Sequence, residues 1–172
     1  MNRIFLLTLI FAFLAIFIES INLILQLKGR WLSKWFGKIA FRIHMITTST
    51  FWLITFCLIV YLQFCKHPLF HRSIILKYTG LILLIVGAII AFWASKLLGL
   101  KRALCLNFFE DNVPEVKDSL YKYVRNPLDY GIWMTLVGFA IFTRSMYNLI
   151  VAVEFIIIMI PHIILENKAL NK

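Results

Sequence analysis

Charged residues are scarce in this 172-residue chain, where Asp, Glu, Lys and Arg together make up only 15% of the sequence. Soluble domains carry about 25%. Hydrophobic residues make up 62% of the chain, a proportion that excludes an ordinary soluble domain and indicates an integral membrane protein. At about 20 residues per span, the length allows four or five helices with short connections and leaves no room for a large separate soluble domain.

Motifs for metal binding and for disulfides are also lacking. The three cysteines, Cys57, Cys65 and Cys105, show no CxxC or Cys/His spacing, so we interpret them as small hydrophobic residues. His67 and His71 lie four residues apart, but Pro68 argues against the regular helix on which such a pair could bind a metal. The sequence therefore predicts neither a metal site nor a disulfide framework.

Long apolar runs predict an all-α, polytopic membrane protein with about five transmembrane helices in a single domain, 1–172. The runs cover residues 4–27, 43–64, 74–98, 127–142 and 147–165. Residues 1–99 thus hold three spans, residues 100–126 form a loop, and residues 127–166 form a C-terminal helical hairpin. The first run lacks a small-residue cleavage site, which favours an uncleaved span over a secretory signal.

The net charge of +10 comes from basic residues that lie between the apolar runs. This placement favours membrane lipid headgroups over nucleic acid as partners. From Arg30 to Arg42 a basic residue recurs every four positions, which predicts a helix near 30–42 that lies in the membrane interface. A positively charged loop with aromatic anchors fits the same residues.

The distribution of basic residues also predicts the orientation of the chain. With five spans, thirteen lysines and arginines fall on one side of the membrane and five on the other. The positive-inside rule then places the N-terminus outside, and the loop at 100–126 and the predicted active site on the cytoplasmic side.

The segment Tyr121–Gly131, with the sequence YKYVRNPLDYG, places polar residues at the start of the fourth apolar run. Asn126 and Pro127 predict a helix start, with Asn126 capping the free amides and Asp129 able to reach back to the cap. A purely structural helix terminus fits this pattern. An anion-binding site fits it as well, because a helix N-terminus presents free N–H groups and Arg125 can form a two-pronged bond to a carboxylate or phosphate.

Glu154, His162 and Glu166 follow in the last apolar run at spacings of eight and four residues, so they share one face of a helix. Pro161 interrupts the regularity of that helix. If both ends of the hairpin face the cytoplasm, Glu166 comes close to Arg125. A pocket of Arg, Glu, His and Tyr at the membrane edge suits a zwitterionic, partly aromatic cofactor.

A longer ordered pattern runs from Tyr78 to Lys172. It begins with a span whose glycines share one face and allow a close helix contact, and it continues through Leu-Gly, a loop, the polar segment, the hairpin and a terminal Glu. The positions are Gly80, Gly87, Leu98, Gly99, Tyr121, Tyr123, Val124, Arg125, Asn126, Pro127, Gly131, Gly138 and Glu166. In this order they resemble the integral-membrane methyltransferases of the isoprenylcysteine carboxyl methyltransferase and phospholipid N-methyltransferase superfamily.

The resemblance implies methyl transfer from S-adenosylmethionine, bound between the loop and the hairpin, to a lipid-like or small hydrophobic acceptor that enters from the membrane lipid. A prenylcysteine carboxylate, a phospholipid amine and a thiol are all open as acceptors. Together with the shared helix face, the resemblance assigns Arg125 and Glu166 to catalysis. The predicted cofactor-binding residues are Tyr121, Tyr123, Arg125, Asn126, Pro127, Gly131, His162 and Glu166.

An amine acceptor must arrive unprotonated or meet a base, for which Glu19, Asp129 and Glu154 are the candidates. Glu19 lies near the end of the first span, where it also fits a residue that reaches the interface or pairs with a basic side chain. No metal belongs to the predicted site, and the oligomeric state is left open.

Three residues depart from the family pattern. Ser119 replaces a Gly, Asp129 stands where the family has Tyr, and Asn167 replaces a second Glu. These departures keep a catalytically inactive membrane relative open as an alternative. A steroid or sterol reductase that uses NADPH is a further alternative, because that class resembles the family in its final hairpin.

Overall fold

A computed structural model describes residues 3–65, 68–70, 73–109, 116 and 119–170. The predicted loop histidines His67 and His71 lie outside the described residues, as do the acidic residues of 110–115. In the part of the chain that is described, no β-strand forms, and the single isolated bridge pairs Leu69 with Ser145. The prediction of an all-α protein is confirmed.

Eight α-helices follow one another in the described residues. They are α1 Arg3–Gly29, α2 Trp31–Phe36, α3 Ala40–Tyr61, α4 Ile74–Leu98, α5 Leu100–Ala103, α6 Leu120–Tyr123, α7 Pro127–Thr143 and α8 Met146–Leu170. Helices α1, α4 and α8 are long and apolar enough to cross a membrane, as is the stretch Trp31–Phe64 that contains α3. Helix α7 is a shorter apolar helix of 17 residues. These helices confirm the polytopic membrane fold and the C-terminal hairpin.

The helix expected near 30–42 is divided. Helix α2 ends at Phe36 because Gly37 adopts a positive φ of 56°, and a 3-10 turn leads directly into α3. Lys38 and Arg42 therefore do not extend the basic face of α2. Trp35 is 60% exposed, and the Lys34 ammonium lies 5.2 Å from the centre of the Trp31 ring, so the aromatic and basic pattern of an interfacial helix is kept only in the two turns of α2.

Helix α1 packs against α3 and α8, and α7 packs against α8 and α4. Between these helices, buried apolar clusters follow the length of the bundle. At one end Phe5 and Val151 pack together, in the middle Ile16 meets Phe155, and towards the other end Leu23 contacts Phe108. The third cluster brings the segment after α4 back onto α1 and closes this end of the bundle.

The contact between α4 and α7 is formed by glycines on both helices. Gly80 and Gly87 on α4 lie opposite Gly138 and Gly131 on α7. A Cβ atom on Gly87 would lie 2.6 Å from the backbone nitrogen of Thr135, and one on Gly131 would lie 2.5 Å from that of Ala91. The predicted close contact at Gly80 and Gly87 is confirmed, and it is a contact of backbone against backbone.

Substitution of Gly87 by Leu should lower the thermal stability of the purified protein in detergent. The new side chain meets backbone atoms that cannot move independently, and overpacking of this kind costs at least about 1–3 kcal/mol. Ala88→Leu is the matched control, because Ala88 is exposed on the same helix. Equal melting temperatures for the two variants would contradict the close packing of α4 on α7.

Candidate functional site

A cavity of about 540 Å³ opens where the C-terminal ends of α4 and α8 meet the start of α7. This volume is within the range of about 300–1,000 Å³ that small-molecule sites occupy. The lining residues come from four of the apolar helices, from α7 and from the segment between α4 and α7. They are Glu19, Ser49, Trp52, Leu53, Phe56, Leu98, Arg102, Ala103, Leu104, Cys105, Asn107, Val116, Tyr121, Arg125, Asn126, Leu128, Asp129, Ile132, Met159, His162 and Glu166.

Asn126 connects two carboxylates at the polar end of this cavity. Its Nδ2 donates to Oε2 of Glu166 at 3.3 Å, and its side chain is also hydrogen bonded to Asp129. Pro127 occupies the first turn of α7 as expected, but the Asn126 side chain makes no capping bond to the helix amides. The capping prediction for Asn126 is therefore wrong, because the amide group is engaged by carboxylates from two helices.

Arg125 lies against the end of α8. Its Nη2 donates to the carbonyl of Asn167 at 3.2 Å, one residue beyond Glu166, so the structure brings the start of α7 and the end of α8 together. One turn before Glu166, His162 is buried, and its Nδ1 has no hydrogen-bond partner among the described residues. Helix α8 continues through Pro161, which is exposed.

The two tyrosines of α6 differ in position. Tyr121 lines the cavity, and its hydroxyl donates to the carbonyl of Ala94 at 3.5 Å. Burial, followed by the nearby Glu166 and Asp129, raises the pKa of Tyr121, so the phenol remains a neutral donor. Tyr123 is 81% exposed and does not line the cavity. Its ring contacts Lys122 instead.

The structure thus brings together only some of the predicted cofactor-binding residues. Those that line the cavity are Tyr121, Arg125, Asn126, His162 and Glu166. Pro127 and Gly131 are buried in helix packing, and Gly131 forms part of the contact with α4. These two residues do not line the cavity and contribute to it only through the packing of α7.

Glu19 lines the cavity from α1 and is only 6% exposed. The indole Nε1 of Trp52 donates to its Oε2 at 3.1 Å, and the Cys105 thiol donates to its Oε1 at 3.9 Å. Trp52 and Cys105 lie 33 and 86 residues from Glu19 along the sequence, so no short spacing motif indicates this cluster. Sequence reasoning named Glu19 as a candidate base but missed both Trp52 and the polar contact of Cys105.

One side of the cavity faces outward between the helices. Leu53 and Phe56 on α3 line it and are 63% and 62% exposed. On a helix that crosses a membrane, such side chains contact lipid. The cavity therefore joins a polar end, at Asn126 and Glu166, to an apolar opening on α3.

Glu154, the third candidate base, lies elsewhere. It borders a separate apolar groove along α8 that is lined by Leu149, Ile150, Val153, Ile157 and Ile158. Its Oε2 has no hydrogen-bond partner within the described chain. Glu154 is therefore not part of the cavity.

The architecture defines an α-helical membrane protein with a partly polar cavity at one end of its helix bundle. A family model for phospholipid methyltransferases matches residues 76–172, which is more than half of the chain. The chain belongs to this family, and the predicted superfamily is confirmed. No curated protein and no solved structure matches the chain. The matched segment begins within α4, so Glu19 and the lipid-facing residues of α3 lie outside it.

Substitution of Ser119 by Gly should stabilise the protein. Ser119 has φ 55° and ψ −122°, a conformation that is favourable only for glycine and costs other residues about 1–3 kcal/mol. We expect Ser119→Gly to recover about 1 kcal/mol of this strain in thermal unfolding. Ser119→Ala keeps the Cβ atom and should bring no gain, so a similar gain in both variants would argue against backbone strain as the cause.

The thiol of Cys105 should resist alkylation. Burial, then the neighbouring carboxylates Glu166 and Glu19, raises its pKa well above the ordinary value, so the reactive thiolate does not form near pH 8. Mass spectrometry after treatment with N-ethylmaleimide at pH 8 should find Cys105 unmodified in the folded protein and modified after denaturation in dodecyl sulfate. Rapid labelling of the folded protein would show that Cys105 is accessible or ionised.

Proposed function

We propose that this protein is an integral-membrane methyltransferase that uses S-adenosylmethionine to methylate a lipid-like or small hydrophobic acceptor. The observation that carries the proposal is the single cavity that joins the polar residues of the family-matched segment to an apolar opening on α3. A polar ligand and an acceptor held in the bilayer can meet in such a space. Membership of the phospholipid methyltransferase family supports the reaction class.

The polar end has the chemistry that S-adenosylmethionine requires. The ligand carries a sulfonium and an ammonium group, a carboxylate and a flat adenine ring. Asp129 and Glu166 suit the positive groups, Arg125 and Arg102 suit the carboxylate, and Tyr121 offers an aromatic surface. His162 Nδ1, buried and without a hydrogen-bond partner among the described residues, is available to a polar group of the ligand.

The bound cofactor supplies a methyl group activated by the sulfonium. The residues around it contribute mainly alignment and the exclusion of water. Asn126 fixes the carboxylates of Glu166 and Asp129 relative to each other, while Arg125 ties the start of α7 to the end of α8. The basic residues around this end support a cytoplasm-facing site, with the N-terminus on the other side of the membrane.

Purified protein in detergent should bind S-adenosylmethionine in isothermal titration calorimetry. We expect Asn126→Ala and Glu166→Gln to weaken binding at least about tenfold. Asn126→Ala removes the donor of the hydrogen bond to Glu166, and Glu166→Gln removes the negative charge that suits the positive groups of the ligand. Tyr123→Ala is the matched control, since Tyr123 lies on the same short segment but outside the cavity, and it should bind within about twofold of the unmodified protein.

Two results would contradict this proposal. Binding of NADPH in place of S-adenosylmethionine would indicate the reductase alternative. Absence of binding for both ligands, with a melting temperature that shows folded protein, would favour a non-catalytic relative.

A further inference from the structure

We propose that Glu19, Cys105 and His162 form a zinc site at the cavity end of the helix bundle. One oxygen, one sulfur and one nitrogen atom of these residues all lie within 4.8 Å of one another. The three side chains are 6%, 3% and 4% exposed, so they meet in the interior of the protein. The site goes beyond the proposed function and does not depend on it.

The three residues come from separate segments of the chain. Glu19 lies on α1, Cys105 follows α5, and His162 lies on α8. Glu19 and Cys105 are 86 residues apart, and no short spacing motif joins any two of the three. The sequence pattern predicts no metal site for this reason. Only the packing of α1, α8 and the segment after α4 brings the ligand atoms together.

The distances between the ligand atoms leave room for one metal ion. A point between three atoms that are at most 4.8 Å apart lies within about 2.8 Å of each, and zinc binds nitrogen and oxygen at about 2.0–2.2 Å and sulfur at about 2.3 Å. The ligand atoms therefore have to approach the metal by only about 0.5–0.8 Å. Small rotations of the side chains achieve this, and the helices stay in place.

The hydrogen bonds of Glu19 give its two carboxylate oxygens different partners. Nε1 of Trp52 donates to Oε2 at 3.1 Å, and Oε1 lies 3.9 Å from the Cys105 sulfur. A zinc ion that binds an oxygen and a sulfur at the tetrahedral angle holds them about 3.6 Å apart, which is close to the observed separation. Trp52 thus orients the carboxylate without binding the metal itself, as the hydrogen-bond partners of zinc ligands do.

His162 is a buried ring that lacks a polar partner on one side. Its Nδ1 has no hydrogen-bond partner among the described residues, whereas buried polar atoms are usually paired. Neutral imidazole can bind zinc through Nδ1, so we assign this atom as the ligand. His44 is buried nearby and interacts electrostatically with Glu19 and His162, but its ring is hydrogen bonded to Asn22 and is not one of the proposed ligands.

The donor atoms, and not the charge of the cavity, select the metal. Arg102 and Arg125 line the cavity together with three carboxylates, so charge alone does not favour a cation there. A thiolate and an imidazole are typical zinc ligands, whereas Mg²⁺ and Ca²⁺ bind mainly oxygen atoms. The combination of oxygen, sulfur and nitrogen therefore indicates zinc.

Zinc binding replaces the proton of the Cys105 thiol. Burial raises the pKa of this thiol, so the metal-free protein keeps the proton, and formation of the Zn–S bond releases it to water. Three protein ligands leave the fourth position of a tetrahedral ion open. All three ligand residues line the cavity, so this position faces the cavity and accepts water or a donor atom of a bound molecule.

The zinc content of the full chain tests the site directly. The protein is expressed in zinc-supplemented medium, freed of its affinity tag, dialysed in detergent against zinc-free buffer and measured by inductively coupled plasma mass spectrometry. We expect about one zinc per chain in the unmodified protein, and less than about a tenth of that in Cys105→Ser and His162→Gln. Circular dichroism shows whether the variants are folded.

Two matched controls locate the metal. Cys57→Ser removes an exposed cysteine outside the group, and the double substitution His67→Ala and His71→Ala removes the two histidines spaced four residues apart. Both proteins should keep their zinc. Loss of zinc in either control, or full zinc content in both Cys105→Ser and His162→Gln, overturns the assignment of the ligands.

Cobalt tests the ligands without any variant. Co²⁺ that is bound by a thiolate gives a charge-transfer band in the near ultraviolet, and its visible bands report its coordination. Addition of Co²⁺ to the metal-free full chain should produce the sulfur band, and zinc should abolish it. Azide should shift the visible bands by binding at the open position. Absence of the sulfur band overturns Cys105 as a ligand, and visible bands that azide leaves unchanged overturn the open position.

Thermal unfolding gives a readout that needs neither S-adenosylmethionine nor activity. Free zinc at about 100 times its Kd should raise the melting temperature of the metal-free protein by about 5–10 °C, and Cys105→Ser should not respond. An unmodified protein that contains no zinc and whose melting temperature does not respond to zinc overturns the inference. Binding of S-adenosylmethionine is measured separately, so the proposed function can hold or fail independently of the zinc site.

Discussion

The backbone contact between α4 and α7 is the constraint on which the site depends. Helix α7 is short, about 26 Å at the usual rise per residue, and it begins with polar residues that must not be exposed to lipid. The glycines of both helices allow them to approach closely, and this fixes the height and rotation of α7. Asn126 then lies within hydrogen-bond distance of Glu166 on α8. A bulkier contact would move the polar end of the cavity away from the helix that completes it.

A second constraint is the cost of burying carboxylates within a membrane protein. Each acidic residue of the cavity has hydrogen-bond donors that are neutral: Trp52 and Cys105 for Glu19, and Asn126 for Asp129 and Glu166. Neutral donors reduce the desolvation cost but leave the negative charge in place. Arg102 and Arg125 line the same cavity, so its walls carry side chains of both charge signs. Glu154 lacks such donors for its Oε2 in the described chain, which fits its position in an apolar groove.

Much of the fold could be predicted from the sequence because it depends on local pattern. The apolar runs predicted the long helices, and the Gly80 and Gly87 spacing predicted a close helix contact, whose partner the structure identifies as α7. The hairpin brought Arg125 to the end of α8 as expected. Which side chains line the cavity depends on tertiary packing, and the local sequence pattern does not contain that information. Tyr121 and Tyr123 are two residues apart on a single helical turn, so they cannot share a face, and only packing decides which one lines the cavity. The pairing of Glu19 with Cys105 depends on how α1 and the segment after α4 meet.

The family-matched segment contributes only some of the residues that line the cavity, and α1 and α3 contribute others. The segment 76–172 supplies the polar end, with Asn126, Glu166 and the glycine contact that positions them. Helices α1 and α3 supply Glu19, Trp52 and the lipid-facing opening. Changes in α1 and α3 can alter this opening without moving the α4–α7 contact, because α1 packs mainly on α3 and α8. Residues such as Glu19 are therefore found only by their contacts in the folded structure, because the family-matched segment does not contain them.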